Sequence, residues 1–185
     1  MKSFGLLVDA VINLLQKTKD LNVPIIIILE PSKNAIALIM SETIAMADQR
    51  ACVDKIAQTV GATPIFRQQS DSNYYSVDTK LSGGIKLLAL AKTSNLAKKK
   101  WHHPNTNETV KALQALKPWA CSLDPRFVEE LSIYEKESGV SVEVAVNSRD
   151  YISKIVKNLP QVTKKKTRIE CMLTTGHPLI AIDVS

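Results

Sequence analysis

One short segment of the chain combines positive charge with aromatic rings. Lys98, Lys99 and Lys100 are followed directly by Trp101, and two histidines come next. Ammonium groups attract phosphates, and an indole offers a flat surface on which a nucleobase stacks, a combination that single-stranded nucleic-acid sites use. These residues therefore predict a contact with nucleic acid or another polyanion. The alternative is a solvated lysine loop whose tryptophan anchors in the core.

A second basic group lies nearer the C-terminal end. Lys164, Lys165, Lys166 and Arg168 open a predicted strand and follow a predicted helix that carries further lysines. If the fold brings this run beside that helix, the two form another patch for phosphates. A run of this kind also occurs on exposed edge strands, where lysines discourage pairing with another chain.

The two basic groups account for the net charge of the whole chain. The 185 residues carry a formal net charge of +6, although residues 1–85 sum to zero and residues 118–148 sum to −4. Residues 86–117 contribute +6 and residues 149–185 contribute +4. Because the positive charge is concentrated in two parts of the sequence, it favours a polyanionic partner.

An acidic residue followed by the tripeptide Asp78-Thr79-Lys80 suggests a different chemistry. Mg²⁺-dependent nucleases of the restriction-enzyme type hold the metal with two carboxylates, and a nearby lysine orients water. Asp71, Asp78 and Lys80 have these residue types, and Glu30 at the end of an apolar run supplies another oxygen. Only six residues separate the two aspartates, which is short for two paired strands. Mg²⁺ is the one cofactor considered, under this alternative alone.

The sequence indicates no other catalytic site. It contains no G-x-S-x-G sequence, and Ser82-Gly83-Gly84-Ile85-Lys86 lacks the features of a phosphate loop. Three widely spaced cysteines without a C-x-x-C pair predict neither a disulfide framework nor a zinc site, and they favour a cytoplasmic location. The longest aliphatic run, from Ile25 to Leu29, is too short to cross a bilayer, so we expect no membrane association.

Periodicity and end signals predict the following elements. Helices are expected at residues 4–18, 42–60, 106–117, 125–138 and 149–159, and strands at 24–29, 35–40, 63–67, 73–80, 84–91, 140–146, 167–174 and 178–184. Because the first two strands are apolar on both faces, we expect both faces of the sheet to be covered. The prediction is one globular domain over residues 1–185, with a mobile basic loop at 92–106.

The predicted fold class is α+β or α/β, with a mixed, mainly antiparallel sheet and helices on both faces. The helix and hairpin at 4–40 resemble in pattern the helix and hairpin at 149–184, which indicates either a duplication or a coincidence. Acidic residues of the predicted helix 125–138 form either a solvated face or a surface that pairs with a basic hairpin of another copy.

The sequence thus favours a nucleic-acid-associated basic protein over an enzyme, as a subunit of a larger assembly or on its own, and it does not decide whether the protein has enzymatic activity. Its phosphate contacts would come from the two lysine groups, with Trp101 stacking on a base. Two alternatives stay open: a Mg²⁺-dependent nuclease and a self-assembling structural or scaffold subunit.

Overall fold

In the residues that the structure describes, ten strands form one mixed sheet. The computed structural model describes residues 3–18, 21, 23–42, 44–69, 72–92, 106–136, 139–157, 162–165, 168–172 and 179–184. The helices are α1 (Phe4–Lys17), α2 (Met46–Val60), α3 (Thr106–Ser122) and α4 (Arg149–Lys157). The strands are β1 (Ile25–Glu30), β2 (Ala35–Met40), β3 (Ile65–Gln69), β4 (Ser72–Lys80), β5 (Lys86–Lys92), β6 (Val128–Lys136), β7 (Gly139–Val146), β8 (Val162–Lys165), β9 (Arg168–Met172) and β10 (Leu179–Val184).

The strands are ordered β3-β4-β5-β2-β1-β6-β7-β10-β9-β8 across the sheet. β2 pairs in parallel with β5, and β7 pairs in parallel with β10. The other pairings between described strands are antiparallel. The predicted α+β class and the mixed, mainly antiparallel sheet are therefore confirmed.

The order of elements repeats along the chain. Residues 4–92 run through a helix, a hairpin, a second helix and three strands, and residues 106–184 run through the same series. The two five-stranded halves meet where β1 and β6 pair, with Ile27 opposite Ile133. The duplication considered from the sequence is thus present in the fold with a different correspondence, because α1 and the hairpin β1–β2 match α3 and the hairpin β6–β7.

One face of the sheet, the helix face, is covered by the helices. A row of fully buried apolar side chains crosses this face on six neighbouring strands: Val77, Ala89, Leu38, Ile27, Ile133 and Val142. All four helices contribute to the apolar cluster that contains this row. α1 and α3 also pack closely on each other. A Cβ atom at Gly5 of α1 would lie 2.3 Å from Sγ of Cys121 in α3, so this contact favours glycine.

The opposite face, which we call the open face, bears six apolar residues from three central strands: Ile26, Ile28, Ala37, Ile39, Leu88 and Leu90. These side chains are partly exposed, and Leu88 reaches 36% exposure. None of the four helices in the described residues packs on this face, because all of them join the cluster on the other side. The expectation of helices on both faces is therefore met on one face only.

The predicted helix at 125–138 is wrong. Asp124 begins a turn, because its carbonyl oxygen accepts hydrogen bonds from the backbone N–H groups of Phe127 and Val128, and β6 follows. A bulge in the β6–β7 pairing lies between Val128 and Glu130. The extra residue places Val128 and Leu131, three positions apart, among the fully buried core residues. The bulge in β6 therefore gave its buried residues the three-residue spacing that is typical of a helix.

The prediction that α3 ends before Pro118 is also wrong. α3 continues to Ser122 with Pro118 inside it. Proline removes one backbone donor from a helix, and the cost is offset when the following turn is held by packing. Trp119 and Ala120 in that turn are buried in the apolar cluster.

A carboxylate on the helix face ties α3 to the centre of the sheet. Glu135 of β6 accepts hydrogen bonds from the hydroxyl of Thr109 in α3 and, at 2.9 Å, from the backbone N–H of Ile25 at the start of β1. Burial raises the pKa of Glu135, and the two hydrogen bonds oppose that rise. This glutamate, one of those placed on the solvated face of a predicted helix, instead joins the two halves.

Candidate nucleic-acid interface

Most of the residues predicted to contact nucleic acid lie outside the described residues. These are the lysines Lys98, Lys99, Lys100 and Lys166, and Trp101, which was predicted to stack on a base. The backbone of Lys164 and Lys165 belongs to β8, and that of Arg168 begins β9, so the predicted strand at 167–174 is preceded by another strand that the sequence analysis missed.

The fold attaches the two basic groups at opposite ends of the strands. Lys92, after which the first group begins, pairs with Tyr74 at the end of the sheet where β1 starts. Arg168 pairs with Asp183 at the end where β1 finishes. β5 and β9 are six strand positions apart, which corresponds to about 29 Å along the sheet. The described residues next to the two groups, Lys92 and Arg168, therefore lie far apart on the sheet.

The nuclease alternative is described only in part, and its described residues lie on two separate strands. Asp78 and Lys80 lie two residues apart on β4, so both belong to the open face. Glu30 lies on β1, three strand positions from β4, or about 14 Å, and Asp71 is outside the described residues. Within the part of the chain that the structure describes, no three His, Cys, Asp or Glu side chains are placed to hold a metal ion.

Aromatic and cationic side chains meet instead at the β3 edge of the sheet. Phe66 of β3 is opposite Tyr75 of β4, and Arg50 of α2 lies over both rings. The guanidinium carbon is 5.1 Å from the centroid of Phe66 and 5.5 Å from that of Tyr75. Phe66 is 49% exposed, which leaves part of the ring accessible to a partner.

Hydrogen bonds fix this arrangement from α2. The hydroxyl of Tyr75 donates to a carboxylate oxygen of Asp54 over 2.5 Å, and the pKa of Tyr75 is raised chiefly by this bond. Arg50 and Asp54 are four residues apart on the helix, so both reach the same part of β4. The ring of Tyr75 is thus held in place, and Phe66 lies beside it at the outer strand.

The open-face side of the same edge is also cationic and aromatic. Arg67, Tyr74 and Lys92 are neighbours on β3, β4 and β5. Lys92 lies 3.5 Å from a carboxylate oxygen of Glu42, so part of its charge is balanced, whereas Arg67 is exposed. The site, which we call the aromatic edge, comprises Arg50, Phe66, Arg67, Tyr74, Tyr75 and Lys92.

The aromatic edge has the chemistry of a stacking surface for bases. Exposed rings stack on nucleobases, and guanidinium and ammonium groups beside them contact phosphates. The sequence analysis missed this site, because Arg50 and Phe66 are brought together only by the packing of α2 on β4 and β5 and by the pairing of β3 with β4. The local sequence signal for this site was Phe66, an aromatic residue followed by the polar residues Arg67, Gln68 and Gln69. No family model, curated protein or solved structure that we compared matches this chain.

No helix among the described ranges is both long enough and apolar enough to span a membrane.

Proposed function

We propose that the protein binds nucleic acid, with single strands preferred over duplex. The observation that carries this proposal is the exposed ring of Phe66, which lies under Arg50 at an open sheet edge. Arg67, the following residue, lies on the other face of the same strand and is exposed. A strand of this kind gives a base a face to stack on and places cations near its phosphates. Nucleic-acid binding also fits the positive charge of the chain. We further propose that the protein is cytoplasmic.

The first lysine group supports the same surface. Lys92 is part of the aromatic edge, and Lys98, Lys99 and Lys100 follow it within eight residues. In our proposal these lysines extend the phosphate contacts beyond the aromatic edge, and Trp101 adds a second stacking ring. The group at 164–168 is not part of this site, since its strands lie at the far edge of the sheet.

Replacing Phe66 with leucine is expected to weaken binding of single-stranded DNA or RNA about tenfold at constant salt, since a stacked ring contributes roughly 1–3 kcal/mol. Leucine keeps an apolar side chain at the sheet edge, so the fold is expected to persist. Electrophoretic shift titrations measure the affinity. Ile65→Leu is the matched control, since Ile65 is the preceding residue of β3 and is 46% exposed. Equal affinity of Phe66→Leu and wild type would remove the aromatic edge from the proposal.

Replacing Lys98, Lys99 and Lys100 together with alanine is expected to lower the salt dependence of binding. Each phosphate contact releases counterions, so the slope of log affinity against log salt should fall in magnitude by roughly 2 for single strands. Phe66→Leu should leave that slope unchanged, which separates stacking from charge. Heparin serves as the control polyanion. If heparin competes as well as RNA at equal charge, or if wild type binds no nucleic acid at moderate salt, the proposed function is wrong.

A further inference from the structure

The open face has the composition of a protein-protein interface. Its six apolar side chains lie on β5, β2 and β1, next to one another in the sheet. Tyr134 of β6 extends this surface, because it is opposite Ile26 in the β1–β6 pairing. Apolar residues that are contiguous and partly exposed on one side of a sheet are a feature of interaction sites.

Charges of opposite sign flank the apolar strip. Lys80 and Lys86 lie on its β4–β5 side and are exposed. Glu130 and Glu143 lie on its β6–β7 side and are partly exposed. Asp78 is the one acid near the two lysines on the described part of this side. The face is therefore basic along one flank and acidic along the other.

From this distribution we propose that the open face binds a second copy of the chain, forming a symmetric dimer. A two-fold axis that runs along the strands between β1 and β2 exchanges β1 with β2 and β5 with β6. Lys86 of one copy then faces Glu130 of the other, and the two charges pair twice in the dimer. Two sheets packed face to face in this way lie about 10 Å apart.

The apolar residues also match under the same axis. Ala37 faces Ile28 of the second copy, so a small side chain meets a large one, and Leu90 faces Tyr134. Ile39 faces Ile26. The same axis also exchanges β4 with β7 and places Asp78 opposite Glu143 of the second copy, a like-charge pair that opposes the attraction between Lys86 and Glu130. A two-fold interface of this kind gives a closed dimer rather than a filament. Phe66, Tyr75 and Arg50 remain accessible, because they lie on the helix-face side of the outer strands, whereas Arg67, Tyr74 and Lys92 share the open face. This inference does not rest on nucleic-acid binding.

Charge reversal tests the pairing directly in the full-length protein. We expect sedimentation velocity to show a reversible dimer for wild type, and each of Lys86→Glu and Glu130→Lys to weaken it about tenfold, since each change converts two attractive pairs into two repulsive ones. The double variant Lys86→Glu/Glu130→Lys has both charges exchanged and is expected to recover wild-type affinity to within about twofold.

A matched control separates the interface from general effects of charge. Lys111→Glu makes the same change on α3, at an exposed position on the helix side, and is expected to leave the dimer unchanged. Thermal unfolding of each variant shows whether it is folded. The proposal is overturned if wild type stays monomeric up to high micromolar concentration, if Lys86→Glu dimerises normally, or if the double variant is as weak as the single ones.

Discussion

Ile27→Asp is expected to unfold the protein, whereas the same substitution at the next residue, Ile28→Asp, is expected to leave it folded. Ile27 is fully buried at the centre of the helix face. An unpaired carboxylate there costs several kcal/mol, a large part of the roughly 5–15 kcal/mol by which a domain is stable. Ile28 is partly exposed on the open face, where a carboxylate keeps contact with water, so we expect a loss of about 1 kcal/mol.

Urea unfolding followed by circular dichroism distinguishes the two variants. The measurement is made at low protein concentration, because Ile28 also lies in the proposed dimer interface. The paired substitution tests whether the sheet is covered on one side. Equal loss of stability in the two variants would mean that part of the chain covers the open face, and it would favour the two-sided sheet that the sequence predicts.

The sequence predicted elements whose signals are local. α1, α2 and α4 have an apolar stripe and marked ends, and the structure places them close to the predicted ranges. α2 ends at Gly61, which has a φ of 66° and so suits glycine. The hairpin β1–β2 was predicted from two apolar runs around a turn-forming tetrapeptide, and the structure confirms it.

β6 could not be predicted in the same way, because its bulge and its two neighbours are tertiary features. Asp124 and Pro125 are typical of a helix start, and Val128 and Leu131 have helical spacing. β6 is a strand because it pairs with β1 on one side and with β7 on the other. This pairing overrides the local helix signals, and a short window of sequence does not show it. The missed strand also hid the repeat, since α3 and β6 correspond to α1 and β1.

The candidate sites differ in how much the sequence revealed. The lysine groups are evident from composition, but their attachment at opposite ends of the strands depends on the strand order. The aromatic edge depends on the register that places Phe66 opposite Tyr75. The match between Lys86 and Glu130 depends on four neighbouring strands. The charge of a segment can therefore be predicted from the sequence. The surface on which that charge lies depends on the topology of the sheet.

Leu7→Ala is expected to lower the free energy of unfolding by about 2–5 kcal/mol, because Leu7 is fully buried where α1 joins the core and the substitution leaves a cavity. Leu6→Ala is the matched control, since the same residue type at the adjacent position of α1 is 52% exposed. It is expected to change stability by less than about 0.5 kcal/mol. Denaturant unfolding measures both values.

The result also tests how the two halves depend on each other. α1 belongs to the first half, but it packs on α3 of the second half, and the two helices share one apolar cluster with β1 and β6. A cavity at Leu7 should therefore destabilise both halves together, giving a single cooperative transition at a lower urea concentration. Two separate transitions in Leu7→Ala would show that the halves unfold independently, and a loss equal to that of Leu6→Ala would place α1 outside the core.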